Sequence, residues 1–267
     1  MKLPRKNISL HGFRAYSTGI LTIKDNKTIM ALSSITKKLI MSISGLFLIV
    51  FLLLHLTINA FSIVDTFTGS YGAADGLFAK GCEFMALPIV TIMVPVLALG
   101  FIVHIAYAFI LTLGNIKARG GYCRYASGSK GKAESWASKN MCVLGVIILG
   151  LVAFHLNHFW ADMQLKEFMG EHAVDPYVLL NATFRNGWMV VVYVLWFAAL
   201  GFHLTHGFWS AFQTIGMSNQ IWEKRLYLIG KIFVGIIVLG FSAVAVNAFL
   251  HANDFIASAA PCCCGHC

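Results

Sequence analysis

Five stretches of the chain are apolar over the length a helix needs to cross a bilayer. They run from Leu39 to Val64, Pro88 to Leu113, Met141 to Trp160, Trp188 to Phe212 and Tyr227 to His251. Lipid offers the backbone no hydrogen-bond partners, so about 20 consecutive apolar residues cross it as a helix that pairs its own amides. A transmembrane barrel would instead need alternating segments of about ten residues, and none is present. With 58% hydrophobic and 12% charged residues in 267, the expected fold class is an all-α membrane protein with five transmembrane helices, the first four forming a bundle.

The formal charge of +9 is distributed along the chain as membrane topology requires, which argues against nucleic acid as its partner. Lys37 and Lys38 precede the first span; Lys117, Arg119, Arg124, Lys130, Lys132 and Lys139 lie between the second and third; Lys224, Arg225 and Lys231 flank the start of the fifth. The other loops carry Asp65, Asp75 and Glu83, then Asp162, Glu167, Glu171 and Asp175. The positive-inside rule therefore predicts a cytoplasmic amino terminus and a carboxyl terminus on the far side.

Three segments are expected. Residues 1–30 form a basic extension, read as disordered, with a transit-like presequence or a true start at Met30 as the other readings. Residues 31–251 form the membrane domain, with Ser33 or Ser34 capping its first helix and Pro88 opening its second. Residues 252–267 end in Cys262, Cys263, Cys264, His266 and Cys267, whose spacing is not that of a zinc site. The sequence contains no phosphate-binding glycine loop, dinucleotide fingerprint or nucleophile elbow.

Four of the spans carry a histidine at a similar distance from their start: His55, His104, His155 and His203. An imidazole in hydrocarbon is costly, so it faces the protein interior and binds or pairs with something. At about 1.5 Å per residue, His55 and His155 fall in the outer half of ascending helices, His104 and His203 in the inner half of descending ones. The four divide into two coplanar pairs, His55 with His155 and His104 with His203. Two imidazoles facing each other across a helical bundle are what a six-coordinate haem requires, one on each face of the iron. The other ring nitrogen of each is expected to donate to a backbone carbonyl one turn back. With both axial positions filled, such an iron has no place for oxygen or substrate and passes electrons only.

His158 and His206 lie three residues from a proposed ligand and rival it, although His155 and His203 match their partners' depth better. His206 is otherwise placed to contact a propionate near the inner surface. His251 is read as an ordinary helix-terminal residue at the outer surface. Gly45, ten residues before His55, either leaves room for something flat or serves close helix packing.

From about Met30 to His251 the chain resembles the cytochrome b subunit of succinate dehydrogenase and fumarate reductase, in its single-polypeptide, five-helix, two-haem form of the cytochrome b558 type found in Bacteroidetes. The resemblance is carried by SSITKKLIMSISGLFLIVFLLLHL, GFIVHIAY, AFHLNHFW and GFHLTHGFWSAFQTIG, in that order. It implies two haems b, the outer on His55 and His155 and the inner on His104 and His203. It implies flavoprotein and iron–sulfur partner subunits on the cytoplasmic side, exchange of electrons with menaquinone, and a bacterial inner membrane as the location. Such a subunit does not itself touch succinate or fumarate.

The family also has a glutamate near the outer haem that acts in quinone chemistry, and Glu83 is the acid best placed to correspond; an exposed loop carboxylate is its other reading. Gly201 stands where some members carry a glutamate linked to transmembrane proton movement, so that carboxylate is missing here. Two further functions compete with this one. The chain could be a di-haem anchor for another dehydrogenase, of hydrogenase or formate dehydrogenase type. It could also be a histidine-lined transporter, although broken half-helices and repeats are not evident beyond Pro95.

Overall fold

A computed structural model describes residues 33–118, 140–217 and 219–258. The basic extension, the charged segment 119–139 with Lys130 and Lys132, and the cysteine tail from 259 on lie outside these residues. Among the described residues the chain is all-helical, and five helices are long and apolar enough to cross a membrane. It is a multi-pass membrane protein.

The elements are α1 (Ser34–Thr68), α2 (Leu77–Ala86), α3 (Pro88–Ala118), α4 (Met141–Phe168), α5 (Pro176–Phe184), α6 (Gly187–Thr214) and α7 (Gln220–Ala252). Helix α1 starts where the sequence places it: the Ser33 hydroxyl accepts from the Thr36 amide at 3.1 Å. It ends at Gly69, whose φ of 75° suits a residue without Cβ while its N–H caps the carbonyls of Asp65 and Thr66. Pro88 opens α3, as expected. Asp175 caps α5 by accepting from the amides of Tyr177 and Val178, and Asn219 caps α7 likewise.

Several boundaries differ from the sequence reading. The segment between the first two spans, read as a loop, contains α2, and a second short helix, α5, precedes α6. Helix α4 continues past Trp160 to Phe168, with a π-helical stretch from Leu156 to Leu165 immediately after His155.

The closest packing joins α6 to α7, and α1 lies against α3, α6 and α7. The fifth span is thus part of the core: Ile237, Phe241, Val244, Ala245 and Ala248 are buried in it. Glycines allow the approach. A Cβ on Gly201 would come within 2.7 Å of Val238, one on Gly230 within 2.9 Å of Phe208, and one on Gly240 within 2.9 Å of Leu56. A side chain at Gly201 would require Val238 on α7 to shift. Large apolar residues that remain exposed, such as Ile92, Leu99, Leu195 and Leu239, face the space that lipid fills.

A polar cluster closes the end carrying α2 and α5. Asp65 is fully buried, and its carboxylate accepts from the Tyr177 hydroxyl, the Leu77 and Phe78 amides and the Ser70 hydroxyl. Beside it, His251 stacks on Tyr71 with ring centroids 3.6 Å apart and its Nε2 lies 2.9 Å from the Thr66 hydroxyl. Only 3% exposed, His251 is a buried interhelical residue and not the surface terminus expected from its position.

Candidate functional site

The four intramembrane histidines meet in two pairs. The rings of His55 on α1 and His155 on α4 have centroids 5.8 Å apart, and those of His104 on α3 and His203 on α6 are 6.4 Å apart. A metal–imidazole bond is about 2.0 Å, and the ring centre lies about 1 Å further, so two imidazoles on opposite sides of one metal have centroids about 6 Å apart. Both pairs have that spacing. The rings of each pair are steeply inclined to one another, at 85° and 69°.

Two glycines mark the level of the 104–203 pair. A Cβ on Gly45 would lie 3.4 Å from Cε1 of His104, and one on Gly145 would lie 3.8 Å from Cε1 of His203. Gly45 precedes His55 by ten residues, and Gly145 precedes His155 by the same number. Helices α1 and α4 therefore run in the same direction and contribute the same pattern: a glycine beside one pair and a histidine to the other. At 1.5 Å per residue the two levels are about 15 Å apart. Gly145 was legible as a counterpart of Gly45, because the ten-residue interval repeats.

Aromatic rings surround the 55–155 pair. Phe51 stacks on His55 at 5.6 Å and Phe241 lies 5.7 Å from it; Phe159 and Trp196 lie 5.1 and 5.7 Å from His155. Around the 104–203 pair the polar neighbour is Ser44. Its hydroxyl donates to the Met41 carbonyl at 3.0 Å, which leaves its oxygen to accept from Nδ1 of His104 at 3.4 Å. That contact would orient the ring with Nε2 free to bind.

The expected bonds from ring nitrogens to carbonyls one turn back are not made by the paired histidines. Nδ1 of His155 and Nδ1 of His203 are buried without a hydrogen-bond partner, while His158 makes such a bond, to the Phe154 carbonyl at 2.9 Å. The π-helical stretch explains the difference at α4. Its wider turn carries each residue through a smaller angle than an α-helix does, which sets His158 further off the face of His155, and the ring packs against Phe154 at 4.0 Å. Of the two rivals on this helix, the one paired with His55 is His155.

Glu83 is exposed on α2, at the end of the bundle nearer the 55–155 pair. Its charge and that of Asp175 add to burial in pushing the neighbouring Cys82 thiol up to about 12, burial being the larger cause. An apolar groove of about 320 Å³ opens between α1 and α2, lined by Leu54, Thr57, Ile58, Phe61, Lys80 and Phe84 among others, and Glu83 is not among its lining residues. Leu54 adjoins His55 in the chain, so the groove reaches the level of that pair.

Among the described residues no three His, Cys, Asp or Glu side chains gather as a bare metal ion requires. A metal held by either pair would have to bring its remaining ligands with it. Compared with known protein families, characterised proteins and solved structures, the chain matches none.

Proposed function

We propose that this chain is the membrane-anchor and electron-transfer subunit of a succinate:quinone oxidoreductase, passing electrons between an iron–sulfur subunit and menaquinone through two haems b. The observation that carries the electron-transfer reading is the pair of facing imidazole sets, at 5.8 and 6.4 Å, on two levels of one helical bundle. Two protein ligands per metal, and no more, suit an iron whose four in-plane positions are filled by a porphyrin. The buried, unpartnered Nδ1 atoms of His155 and His203 and the glycine beside each ring of the 104–203 pair are consistent with a site shaped around a bound group. When bound, a haem supplies a one-electron couple.

The residues of this chain have separate tasks in that reading. His55 and His155 would hold one haem and His104 and His203 the other, and each haem would supply a one-electron couple. Ser44 would favour the His104 tautomer that carries its proton on Nδ1 and leaves Nε2 to bind. The about 15 Å between levels spans enough of the membrane to connect its two sides. In this reading Glu83, exposed on α2, would exchange a proton with a quinone that enters from lipid. The assignment to succinate and menaquinone, with flavoprotein and iron–sulfur partners, rests on the resemblance in the four histidine-bearing segments.

The charge distribution supports an orientation in a bacterial inner membrane with the start of α1 in the cytoplasm. Lys37, Lys38, Lys117, Lys224 and Arg225 share one end of the bundle, whereas Asp65, Asp75, Glu83, Glu171 and Asp175 share the other. Arg225 over Trp222 and Lys231 over Tyr227 are the kind of aromatic and basic anchors found at a membrane surface. Partner subunits would dock on the basic end.

Purification of the intact complex tests the proposal directly. The expected result is two low-spin haems b per chain, together with a flavoprotein and an iron–sulfur protein that reduce them with succinate. Two haems with a different dehydrogenase would keep the electron-transfer reading and replace the substrate. A haem-free chain would overturn both.

A further inference from the structure

The groove of about 320 Å³ between α1 and α2 is walled by Leu54, Ile58 and Phe61 on one side and by Leu77 and Phe84 on the other. Leu54, Leu77 and Phe84 remain exposed, so the groove opens away from the bundle, towards lipid. Gly81 sets how closely the walls approach: a Cβ there would lie 3.1 Å from Cγ2 of Ile58 and 3.3 Å from Cδ2 of Phe61.

That contact also fixes the depth of the groove. Lys37 and Lys38 mark one membrane surface, and about 20 residues of helix beyond Lys38, roughly 30 Å, end at Ile58. The hydrocarbon therefore reaches its other boundary at the level of Gly81. Lys80, next in the chain and part of the groove lining, stands at the headgroup level, and the groove descends from it to Leu54.

Charge singles out the same residue. The described residues at this end include Asp75, Glu83, Glu171 and Asp175. Lys166 is already held by Asp162 at 2.7 Å. Lys80 is exposed and makes no ion pair among the described residues, although Glu83 is one turn away.

We infer that this groove binds one phospholipid of the leaflet on the α2 side, with its phosphate on the Lys80 ammonium and part of one acyl chain between α1 and α2. An ammonium at the headgroup boundary is complementary to a phosphate. The α1 wall runs seven residues from Leu54 to Phe61, about 10 Å, which an alkyl chain lies along. A quinone is uncharged and gives Lys80 nothing to neutralise. The inference requires that the chain cross a membrane and is independent of any haem.

The test uses the full-length protein in the complex it purifies with, delipidated by detergent exchange and titrated with phosphatidylglycerol, whose only charge is its phosphate. Native mass spectrometry counts the bound lipid, and one saturable phospholipid per chain is expected. Lys80→Gln should weaken binding about fivefold and Lys80→Glu about thirtyfold, the scale of one and two elementary charges at a lipid surface. Thr57→Phe fills the groove from an exposed position on α1 and should abolish the site with Lys80 intact. Lys166→Gln should bind as the wild type does, because Asp162 already neutralises that lysine.

No saturable site in the wild type, or wild-type affinity in either Lys80→Glu or Thr57→Phe, would overturn the inference. Equal weakening in Lys166→Gln would do the same by reducing the effect to general surface charge. If the variants fail to assemble, competition on the wild-type protein decides. Neither a diacylglycerol of the same chains, which lacks the phosphate, nor a menaquinone analogue should displace the phosphatidylglycerol. Displacement by the diacylglycerol would remove Lys80 from the site, and displacement by the analogue would give the groove to quinone; either result overturns the assignment.

Discussion

Gly45 on α1 lies against the imidazole of His104 on α3, so closely that a Cβ would be 3.4 Å from Cε1. The contact gives this glycine a role that helix packing alone does not. It leaves the His104 ring the space to face His203 at the level of the second pair.

A methyl group at that distance is in ordinary van der Waals contact, so Gly45→Ala should keep both haems. Gly45→Leu places a branched side chain where the ring stands and should displace His104. The expected loss is the haem on the 104–203 pair, with the other retained, read as haem per chain and as the low-spin spectrum. Two haems of unchanged spectrum in the leucine variant would show that Gly45 does not shape this site.

The histidines themselves give a sharper discrimination. His104→Ala or His203→Ala should remove one haem, and His155→Ala the other, whereas His158→Ala should leave two low-spin haems. The reason is the hydrogen bond from His158 to the Phe154 carbonyl, which holds that ring off the His55 side of α4. Loss of a haem in the His158 variant with retention in the His155 variant would exchange their roles.

Much of this was legible because membrane spans repeat a simple physical demand. The five apolar runs, the Ser33 cap, the Pro88 start and the pairing of histidines by depth all follow from local pattern and direction of travel. What was not legible depends on contacts distant in sequence. Asp65 read as one more outer loop acid, yet it is fully buried and bonded to Tyr177, 112 residues away. His251 read as a surface terminus because nothing local shows that Tyr71 covers it. The π-helical turn after His155 has no sequence signature, and it is what separates His155 from His158. The backbone carbonyl bond expected for His104 is replaced by Ser44, a side chain from another helix, whereas Nδ1 of His155 and of His203 has no partner.

The Asp65 cluster ties α1, α2 and α5 together, so its loss should cost stability before it costs chemistry. Asp65→Ala strands two amides at the start of α2 and the Tyr177 hydroxyl, a penalty of about 3 kcal/mol or more. Tyr177→Phe should cost about 1 to 2 kcal/mol. Gly76→Ala should be comparable, because its Cβ would sit 2.7 Å from the Tyr177 oxygen and 3.1 Å from Oδ2 of Asp65. Thermal unfolding of the detergent-solubilised protein measures all three, and wild-type midpoints throughout would remove the cluster from the stability argument.

The same cluster sets a pH dependence. Burial raises the Tyr71 and Tyr177 hydroxyls well above the ordinary tyrosine range, and the Asp65 carboxylate adds to this at Tyr177. Above about pH 10 the unfolded phenols lose protons that the folded ones retain, so the unfolded chain binds fewer protons and stability falls as pH rises. Tyr177→Phe should make that fall shallower. An equally steep fall in the variant would assign it to other groups.

Glu83 is the remaining test of the quinone reading. Its carboxylate is exposed on α2, whose other face, with Lys80, lines the groove shared with Leu54, Thr57 and Phe61 of α1. Quinone reduction consumes protons and quinol oxidation releases them, so an acid at this position can serve as the local donor or acceptor, and Glu83→Gln keeps the shape while removing that capacity. Succinate oxidation with an artificial dye and the content of both haems should survive the substitution, because neither depends on α2. Turnover with a menaquinone analogue should fall by about 10²-fold, the lower end of what one acid or base contributes. Unchanged quinone turnover in a fully haem-loaded variant would eliminate Glu83 and leave Lys80 and the groove between α1 and α2 as the place to look.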